Sequence, residues 1–544
     1  MPHCLARSLS GIMAVLLAAV ELLPAQKQER VESMGATIRS VTRLVQVQVI
    51  AEDRKGTPVT DLAKSDFELF DDGKLQRISS FSLLSGIART AVQPTLASRL
   101  LSNRLVPTAA AETVSCAVII LDLLNTPLSD RMSARAQVLQ LLRQIGPEQK
   151  VELLVLERGL RVVHDLTGDF DALLRRIQVL GRAMDGVMDS GIFDASRGMA
   201  DLGLLPSIQS STAGGRSPVN PTLQVFELER RILSTLEAFG LVADRLARVP
   251  GRKVLIWVSA GFPLTIDSRA VPGANQVRTF SQEIDAAVRK LNAADIGVFP
   301  IDARGLSTNP NAYITIESLK EIAKRTGGRA WYNRNDIAAG MRTALEEPYA
   351  GYMLGYLLPD DQATGGVHRL RIRVNRAGIR LRYRPTYDEE DGGPADPESE
   401  LQRALQSPLN WLSIPLAVAA SRGTEAIELL ITIDLGSVSL SMQDGRWSGA
   451  LDLITQCVDV QGRQAIPPTL DRMTLNLAPE TREQALREGL ATSKTIGLTG
   501  HCSQLRLVVY DRLSGKAGSL HVPLSTIAAP GSSPSERHAA QPKP

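Results

Sequence analysis

Three residues that can supply oxygen atoms follow one apolar segment of the sequence: Asp122, Asn125 and Thr126. The segment, Cys116–Leu121, has no charged residue and is rich in β-branched side chains, which predicts a strand buried on both faces. Such strands lie inside parallel sheets, and ligands bind beyond their carboxyl ends. The sequence therefore predicts Asp122 at a binding site. An alternative stays open, in which Asp122 and Asn125 bond the backbone N–H groups of a turn or helix cap.

The segments that must position these residues alternate between helix and strand patterns. Helical spacing predicts helices at 131–145, 170–180, 223–247, 280–292, 316–326 and 337–345. Apolar runs predict strands at 151–157, 160–164, 253–259, 296–301 and 329–332. This order predicts an α/β doubly wound domain over residues 114–347, with one antiparallel strand at the edge of its sheet. Ser259 and Asp302 then stand at the ends of two further strands, at the same sheet edge as Asp122.

Four motifs of this region occur in an order that carries a resemblance. They are DLLNT (122–126), LTGDFDALLRRI (166–177), VSAGF (258–262) and YMLGYLLPD (352–360). Over about residues 38–388 the chain resembles a von Willebrand factor type A (VWFA) domain, and in particular a group of secreted bacterial VWFA-related proteins. The resemblance implies a doubly wound fold that binds other macromolecules through the carboxyl edge of its sheet.

The resemblance also implies a metal site, which this sequence keeps only in part. In its best-known form the site uses Asp-x-Ser-x-Ser, a Thr and an Asp to hold Mg²⁺, a hard ion that prefers oxygen ligands. Asp122 and Thr126 match two of these positions, whereas Leu124 replaces a Ser and Ala260 stands where the Asp is common. We therefore expect a degenerate metal-ion-dependent adhesion site that holds Mg²⁺ weakly or not at all. Asn125, Ser259 and Asp302 are the predicted partner-binding residues at this edge.

The segments on both sides of the α/β domain predict strands only. Residues 38–84 and 348–388 each contain a few short strands, too few to bury a core alone. We expect them to pair as one β-sandwich into which the α/β domain is inserted; two separate small β modules are the alternative. A connector is expected at 85–113, an acidic linker at 389–424 and a disordered tail at 527–544. Residues 185–221 predict a lid over the site or a disordered insertion.

A second all-β domain, a C-terminal β-sandwich, is predicted at 425–526. Its expected strands are 427–433, 437–442, 449–458, 505–510 and 519–523, with one short helix at 480–489. Residues 1–25 have the pattern of a secretory signal peptide. No later apolar run reaches the length of a membrane span, so we expect a secreted or periplasmic protein.

Export bears on the four cysteines. Cys4 would leave with the signal peptide, and Cys116 lies in the buried strand, which leaves Cys457 and Cys502. An oxidising compartment favours a disulfide between these two. A metal site or a reactive thiol is the alternative, although neither cysteine has a neighbouring His or Cys at ligand spacing.

Composition and motifs also restrict the function. A net charge of +3 and an aromatic content of 4% argue against nucleic-acid binding. The G-x-S-x-G, G-x-x-x-x-G-K-[ST] and H-E-x-x-H motifs are absent, and none of the six histidines is paired at ligand spacing. His164-Asp165 could perform acid–base chemistry or lie in a solvated turn. We predict an exported, non-enzymatic adhesion or scaffolding protein that binds another protein or extracellular macromolecule. A hydrolase with an unrecognised site and a structural envelope component are the alternatives.

Overall fold

The computed structural model describes most of the chain between Arg43 and Ile527. The described residues are 43–84, 101–103, 116–144, 150–167, 221–247, 249, 251–269, 276–307, 312–347, 350–358, 366–389, 397–423, 426–459, 464–497 and 502–527. The predicted signal peptide, the helix at 170–180, the 185–221 insertion and nearly all of the predicted tail lie outside them.

The secondary structure runs through the described residues in four blocks. The first is β1 (Arg43–Glu52), β2 (Phe67–Asp71), β3 (Lys74–Gln76), β4 (Ile78–Leu83) and β5 (Leu101–Ser102). The second is β6 (Cys116–Asp122), α1 (Leu128–Leu142), β7 (Lys150–Leu156), β8 (Leu160–Thr167), α2 (Pro221–Leu246), β9 (Lys253–Ser259), β10 (Thr265–Asp267), β11 (Val277–Thr279), α3 (Ser281–Ala293), β12 (Ile296–Asp302), α4 (Ala312–Arg325) and α5 (Ile337–Glu346). The third is β13 (Tyr352–Leu358), β14 (Gly366–Val374), β15 (Arg380–Arg382) and β16 (Thr386–Glu389). The fourth is α6 (Pro397–Gln406), β17 (Leu416–Arg422), β18 (Ala426–Ile433), β19 (Ser441–Gln443), β20 (Arg446–Val458), β21 (Gln464–Leu477), α7 (Pro479–Glu488), β22 (Leu490–Gly497), β23 (Gln504–Asp511) and β24 (Ala517–Pro523).

The second block folds into the expected mixed sheet with helices on both faces. Its strand order is β12-β9-β6-β7-β8; the first four strands are parallel and β8 pairs antiparallel with β7. Helices α2, α3 and α4 pack on one face, and α1 and α5 pack on the other. All seven residues of β6, β9 and β12 are buried because both faces of these strands are covered. The strand expected at 329–332 is reduced to a single parallel bridge between Ile301 and Trp331.

Strands from both sides of the α/β domain form one β-sandwich. One sheet has the order β15-β1-β13-β4 and the other β16-β14-β2-β3, so each contains strands from before and after the domain. Register pairs include Val47 with Leu354 and Ile372 with Leu69. Their side chains share a single apolar core, which neither half could bury alone.

The fourth block forms a second sandwich that begins earlier than the sequence indicates. Its sheets are β22-β18-β17-β5 and β19-β20-β23-β24, with β21 paired to β20. Strand β17 lies in the expected linker and β5 in the expected connector. The strand expected at 437–442 is instead a 3₁₀ turn at Leu435–Ser437 followed by β19. Strands β21 and β22 fall in segments for which the sequence predicted no strand.

The first sandwich is fixed to the α/β domain by a partly buried ion pair network. The Arg382 guanidinium lies 2.8 Å from a carboxylate oxygen of Glu52 and 2.7 Å from one of Glu347, the residue after α5. Glu347 is buried, and burial raises its pKa while Arg382 lowers it. Separately, within the part of the chain described, no helix combines the length and hydropathy that a membrane crossing requires.

Candidate functional site

Asp122 ends β6 at the point where the strand order of the sheet reverses. The next strand of the chain, β7, lies on one side of β6, and β9 lies on the other, which makes this edge the place where open α/β sheets bind ligands. The carboxylate is fully buried. Its Oδ1 accepts hydrogen bonds from the backbone N–H groups of Leu124 and Asn125, both at 3.0 Å. These two bonds are the turn contacts that the sequence left open as an alternative to a metal site.

The second oxygen of Asp122 joins three side chains. Its Oδ2 accepts hydrogen bonds from Asn125 Nδ2 at 2.8 Å, Trp257 Nε1 at 3.0 Å and Ser259 Oγ at 2.8 Å. Burial raises the pKa of Asp122, whereas the bonds from Asn125, Ser259 and Trp257 lower it. A carboxylate offers about four lone-pair positions, and here five donors already occupy them.

The network extends from Asp122 into a helix. Asn125 Nδ2 also donates to Thr235 Oγ1 at 2.8 Å, and the Thr235 hydroxyl donates to the Arg231 carbonyl one turn earlier in α2. Ser259 Oγ accepts from the backbone N–H of Gly261 at 3.0 Å. The ends of β6 and β9 and the middle of α2 are therefore fastened to one another through Asp122.

The turn after β9 is closed tightly over this network. Gly261 has φ +74°, and a Cβ placed there would lie 2.3 Å from the Thr315 carbonyl oxygen on α4. Only glycine fits both the conformation and the space. The Phe262 N–H is bonded to Ser318 Oγ of the same helix at 3.1 Å. Ala260, at the position where the resemblance implies an aspartate, is thus buried in a turn that packs tightly against α4.

The residues at this edge do not fit a Mg²⁺ ion. Both oxygens of Asp122 are occupied by protein donors, Leu124 packs its side chain against the α/β core and Ala260 has no side-chain oxygen. At the matched metal positions, Thr126 Oγ1 is the one side-chain oxygen that is buried without a hydrogen-bond partner among the described residues. One hydroxyl cannot replace the set of oxygen ligands that Mg²⁺ requires. The two metal positions carried over from the resemblance, Asp122 and Thr126, therefore do not form a metal site in this structure.

The three residues expected to bind a partner are buried in the structure. Asn125 and Ser259 are bonded to Asp122, and none of the three is more than 5% exposed. The Asp302 carboxylate forms a two-point ion pair with Arg304, whose Nε and Nη2 lie 2.8 and 2.9 Å from its oxygens. Arg304 in turn donates to Thr315 Oγ1. A partner that docks on this edge would meet other side chains first.

The His164-Asp165 pair lies at a contact between the α/β domain and the segment before β17. Asp165 accepts a hydrogen bond from Arg245 of α2 at 2.5 Å and another from Asn410 Nδ2 at 3.0 Å. Arg245 also donates to the Asn410 carbonyl and lies 3.2 Å from Glu152. Arg245 and Glu152 are buried and the Asp165 side chain is exposed, and together they connect the α/β domain to the segment before β17.

The predicted disulfide between Cys457 and Cys502 is present. The two Cα atoms are 5.7 Å apart, inside the normal range for a disulfide. Cys457 lies near the end of β20, and Cys502 lies just before β23, which is the neighbouring strand. Among the described residues Cys116 is the free cysteine, and burial raises the pKa of its thiol to about 12. Its thiol is therefore unreactive at neutral pH.

Two residues that complete the Asp122 network, Trp257 and Thr235, were not predicted from the sequence. A buried Trp must usually find an acceptor for its N–H, so its position in the apolar run KVLIWVS was a usable signal. The sequence does not show which acceptor it meets. Thr235 lies in the middle of a helical pattern, and no feature of its neighbours distinguishes it.

Comparisons with known proteins yield structural likenesses only. No family model and no curated protein matches the chain. Among solved structures, an aerotolerance-related membrane protein from Bacteroides fragilis matches with 14% identity and a TM-score of 0.24, over 43% of this chain and 100% of that one. The ArnB paralog VWA2 from Sulfolobus acidocaldarius matches with 11% identity and a TM-score of 0.20, over 89% and 74%. The vWF domain of the type V pili tip protein Mfa5 from Porphyromonas gingivalis matches with 15% identity and a TM-score of 0.20, over 43% and 95%. At these scores the likenesses support no conclusion about function, and the fold rests on the sheet order described above.

Proposed function

We propose that the protein is an exported, non-enzymatic adhesion or scaffolding module that binds another protein through the carboxyl edge of its α/β sheet. One observation carries the proposal: a set of large apolar side chains is exposed at that edge. We call this set the apolar rim; it comprises Leu128, Met132, Leu223, Phe226, Leu306 and Tyr313. Their exposed fractions lie between 42% and 66%.

The topology explains why the rim lies at one edge. Helices α1 and α4 follow the parallel strands β6 and β12, so their first turns lie where those strands end. Helix α2 leads into β9 and must therefore begin at the same edge. With 26 residues α2 is about 39 Å long, whereas a seven-residue strand spans about 23 Å. The first turn of α2, with Leu223 and Phe226, is therefore expected to extend beyond the sheet.

An apolar rim of this kind favours a protein partner. Clustered apolar side chains that stay exposed to water are typical of surfaces that bind other proteins. Burial of apolar surface releases about 25 cal/mol per Å², and the rim offers that surface without the polar groups of the Asp122 network. The non-enzymatic part of the proposal is supported by Asp122 and Ser259, whose side chains are used in internal hydrogen bonds. The disulfide supports export, because disulfides persist in oxidising compartments.

The test is capture of a partner by rim variants of the full chain. We expect tagged protein to retain a partner from periplasmic or culture fractions without added Mg²⁺. A double variant, Leu306→Glu with Tyr313→Glu, should lose it, because two charges would have to be buried in the interface. The matched control, Leu470→Glu with Leu513→Glu, changes two leucines of the second sandwich that are exposed to a similar degree. Equal capture by both double variants, or no specific capture by the unmodified protein, would contradict the proposal.

A further inference from the structure

Three side chains with metal-ligand atoms meet in the first sandwich, where β2 pairs with β14. Asp71 is the last residue of β2, Asp72 begins the turn to β3, and His368 lies in β14, the strand that pairs with β2. His368 Nδ1 lies 3.3 Å from Asp71 Oδ1 and 3.0 Å from Asp72 Oδ2. All three atoms lie within 4.8 Å of one another. This cluster could not be predicted from sequence spacing, because nearly 300 residues separate the histidine from the aspartates.

The spacing of these atoms suits a tetrahedral ion. Zn²⁺ binds His nitrogen and carboxylate oxygen at about 2.0–2.2 Å in tetrahedral sites, which places neighbouring ligand atoms about 3.3–3.5 Å apart. The two contacts of His368 Nδ1, at 3.0 and 3.3 Å, are close to that separation. All three atoms lie within 4.8 Å of one another, so the aspartate oxygens can approach a shared ion together with the imidazole nitrogen.

Asp71 has one oxygen free for an ion and one held in place. Its side chain is 2% exposed, and Oδ1, the atom that faces His368, accepts no hydrogen bond among the described residues. Oδ2 accepts hydrogen bonds from the hydroxyls of Tyr356 at 2.7 Å and Tyr387 at 2.8 Å. The Tyr387 ring also stacks on the His368 imidazole with the centroids 4.8 Å apart. Outer contacts of this kind orient the ligands of metal sites.

Asp72 supplies the accessible side of the cluster. It has φ +46°, a left-handed conformation that the Asp72-Gly73 turn of the β2–β3 hairpin requires. Its Oδ1 accepts the backbone N–H of Arg369 at 3.0 Å, which leaves Oδ2 directed toward His368. Its side chain is 48% exposed. An ion could therefore enter from solvent on this side and keep a water molecule as its remaining ligand.

We propose that Asp71, Asp72 and His368 form a binding site for Zn²⁺ or a similar divalent transition-metal ion. The ligand atoms are Asp71 Oδ1, Asp72 Oδ2 and His368 Nδ1, and the fourth position faces solvent. The bound ion would fasten the end of β2, where the β2–β3 hairpin turns, to the neighbouring strand β14. The choice of ion follows from the ligands: imidazole with two carboxylates suits zinc-class ions, whereas Mg²⁺ prefers sites made of oxygen alone.

The same distances have a competing explanation, which is protonation of His368. A protonated His368 paired with two carboxylates would also bring these three atoms together, and it would bind no metal. The experiment must therefore measure metal binding itself and must compare variants that keep the fold. Asp72→Asn is the first variant, because it retains the Oδ1 acceptor and the shape of an exposed turn residue. His368→Gln is the second.

The full chain, first stripped with EDTA, is titrated with Zn²⁺ by calorimetry and with Co²⁺ by visible absorption. We expect one ion per chain, Co²⁺ bands with the intensity of a four-coordinate site, and a higher melting temperature with Zn²⁺. Asp72→Asn and His368→Gln should each lower Zn²⁺ affinity at least tenfold and should remove the Co²⁺ bands. The matched control is Asp444→Asn, which changes an exposed aspartate with φ +49° in the equivalent Asp-Gly turn of the second sandwich; it should bind Zn²⁺ like the unmodified protein.

Two results would overturn the proposal. One is failure of the unmodified chain to bind Zn²⁺ or Co²⁺, which would leave the proton as the explanation. The other is binding that persists unchanged in both Asp72→Asn and His368→Gln, which would place the ion on other residues. Neither result depends on partner capture, so this inference is tested independently of the proposed function.

Discussion

Replacement of Asp122 by asparagine should destabilise the α/β domain strongly, although the two side chains have the same shape. The carboxylate accepts five hydrogen bonds, two at Oδ1 from backbone N–H groups and three at Oδ2 from side chains. Asparagine has one acceptor oxygen and one amide NH₂. Whichever way the amide turns, two or three buried donors must face another donor.

The structure sets the size of the expected loss. The better orientation keeps the oxygen toward the three side chains and sets the NH₂ against the N–H groups of Leu124 and Asn125. A hydrogen bond to a charged group contributes about 1.5–3 kcal/mol, and an unsatisfied buried donor costs about 1–3 kcal/mol. Relief of the buried charge of Asp122 offsets part of this, so we expect Asp122→Asn to lower the free energy of unfolding by about 3–5 kcal/mol. Because whole domains are stable by about 5–15 kcal/mol, the effect should be large.

Thr126→Val is the matched control for this prediction. Thr126 lies four residues from Asp122 at the same edge, is equally buried and has a hydroxyl without a hydrogen-bond partner among the described residues. Valine has the same shape, and removal of an unsatisfied buried hydroxyl relieves its desolvation cost. We expect the free energy of unfolding to stay the same or to rise by about 1 kcal/mol.

Urea unfolding of the full chain, followed by tryptophan fluorescence, measures both variants. Trp257 is a suitable reporter because its indole N–H is bonded to Asp122. A loss below about 1 kcal/mol for Asp122→Asn would show that the five bonds do not hold the sheet edge together. A large loss for Thr126→Val would show that the hydroxyl has a partner, and a metal ion would then have to be reconsidered.

The remaining predictions concern ions, pH and the disulfide. Millimolar Mg²⁺ should leave the melting temperature of the full chain unchanged, because the described residues at the carboxyl edge of the α/β sheet offer no free set of oxygen ligands. Burial and the nearby Arg506 lower the pKa of His521 to about 3; its Nδ1 bonds Asn410 Oδ1 at 2.8 Å and its Nε2 meets Arg506. In the unfolded chain His521 takes up a proton near pH 6.5, whereas in the folded chain it stays neutral down to about pH 3. The free energy of unfolding should therefore fall as the pH drops from about 6.5 toward 3, by at most about 1.4 kcal/mol per pH unit. Urea unfolding between pH 7 and 4 should show this slope, and His521→Gln should reduce it. The disulfide closes a loop of 45 residues. In the chain-entropy model, the double variant Cys457→Ser with Cys502→Ser should therefore have a free energy of unfolding about 4 kcal/mol lower. Equal stability of the unmodified chain with and without reductant would contradict this.

The parts of the fold that follow from local pattern could be predicted from the sequence. The unbroken apolar runs at β6, β9 and β12 indicated strands covered on both faces, and these strands are fully buried in one parallel sheet. The helical spacing from residue 223 onward indicated α2 almost to its last residue. In each case the buried face is large enough to impose its period on the sequence.

Strands with little buried surface could not be predicted in this way. In β21, 14 residues long, one side chain is buried, and the strand contains two consecutive prolines that normally argue against a sheet. It pairs with β20 as an outer strand, where most side chains face solvent and leave no apolar alternation. Strand β22 has no buried residue, and its residues alternate between half-buried and exposed. Such strands are held by backbone hydrogen bonds to their neighbours, and sequence periodicity does not record those bonds.

Two residues of the candidate site lie at the sheet edge where the sequence indicated them, but their chemistry depends on contacts across the chain. Asp122 and Ser259 were expected at one sheet edge, and they meet there. Trp257, which completes the carboxylate's shell, lies 135 residues from Asp122 in sequence. No local rule links two positions so far apart. The same limit applies to the Asp71, Asp72 and His368 cluster, which only the pairing of β14 with β2 brings together.

Both carboxylate oxygens of Asp122 already accept hydrogen bonds from protein donors. This explains why recognition of a partner at this edge should depend on the apolar rim. For a cation to bind Asp122, at least one present donor would have to leave, and Trp257 and Ser259 are both completely buried. Each donor left unsatisfied would cost about 1–3 kcal/mol, in addition to the dehydration that Mg²⁺ resists. A carboxylate of a partner would find no metal ion to coordinate, and it would contact the tightly packed turn after β9 instead. Apolar contact with the exposed first turns of α1, α2 and α4 requires none of these rearrangements, because the network beneath them stays intact.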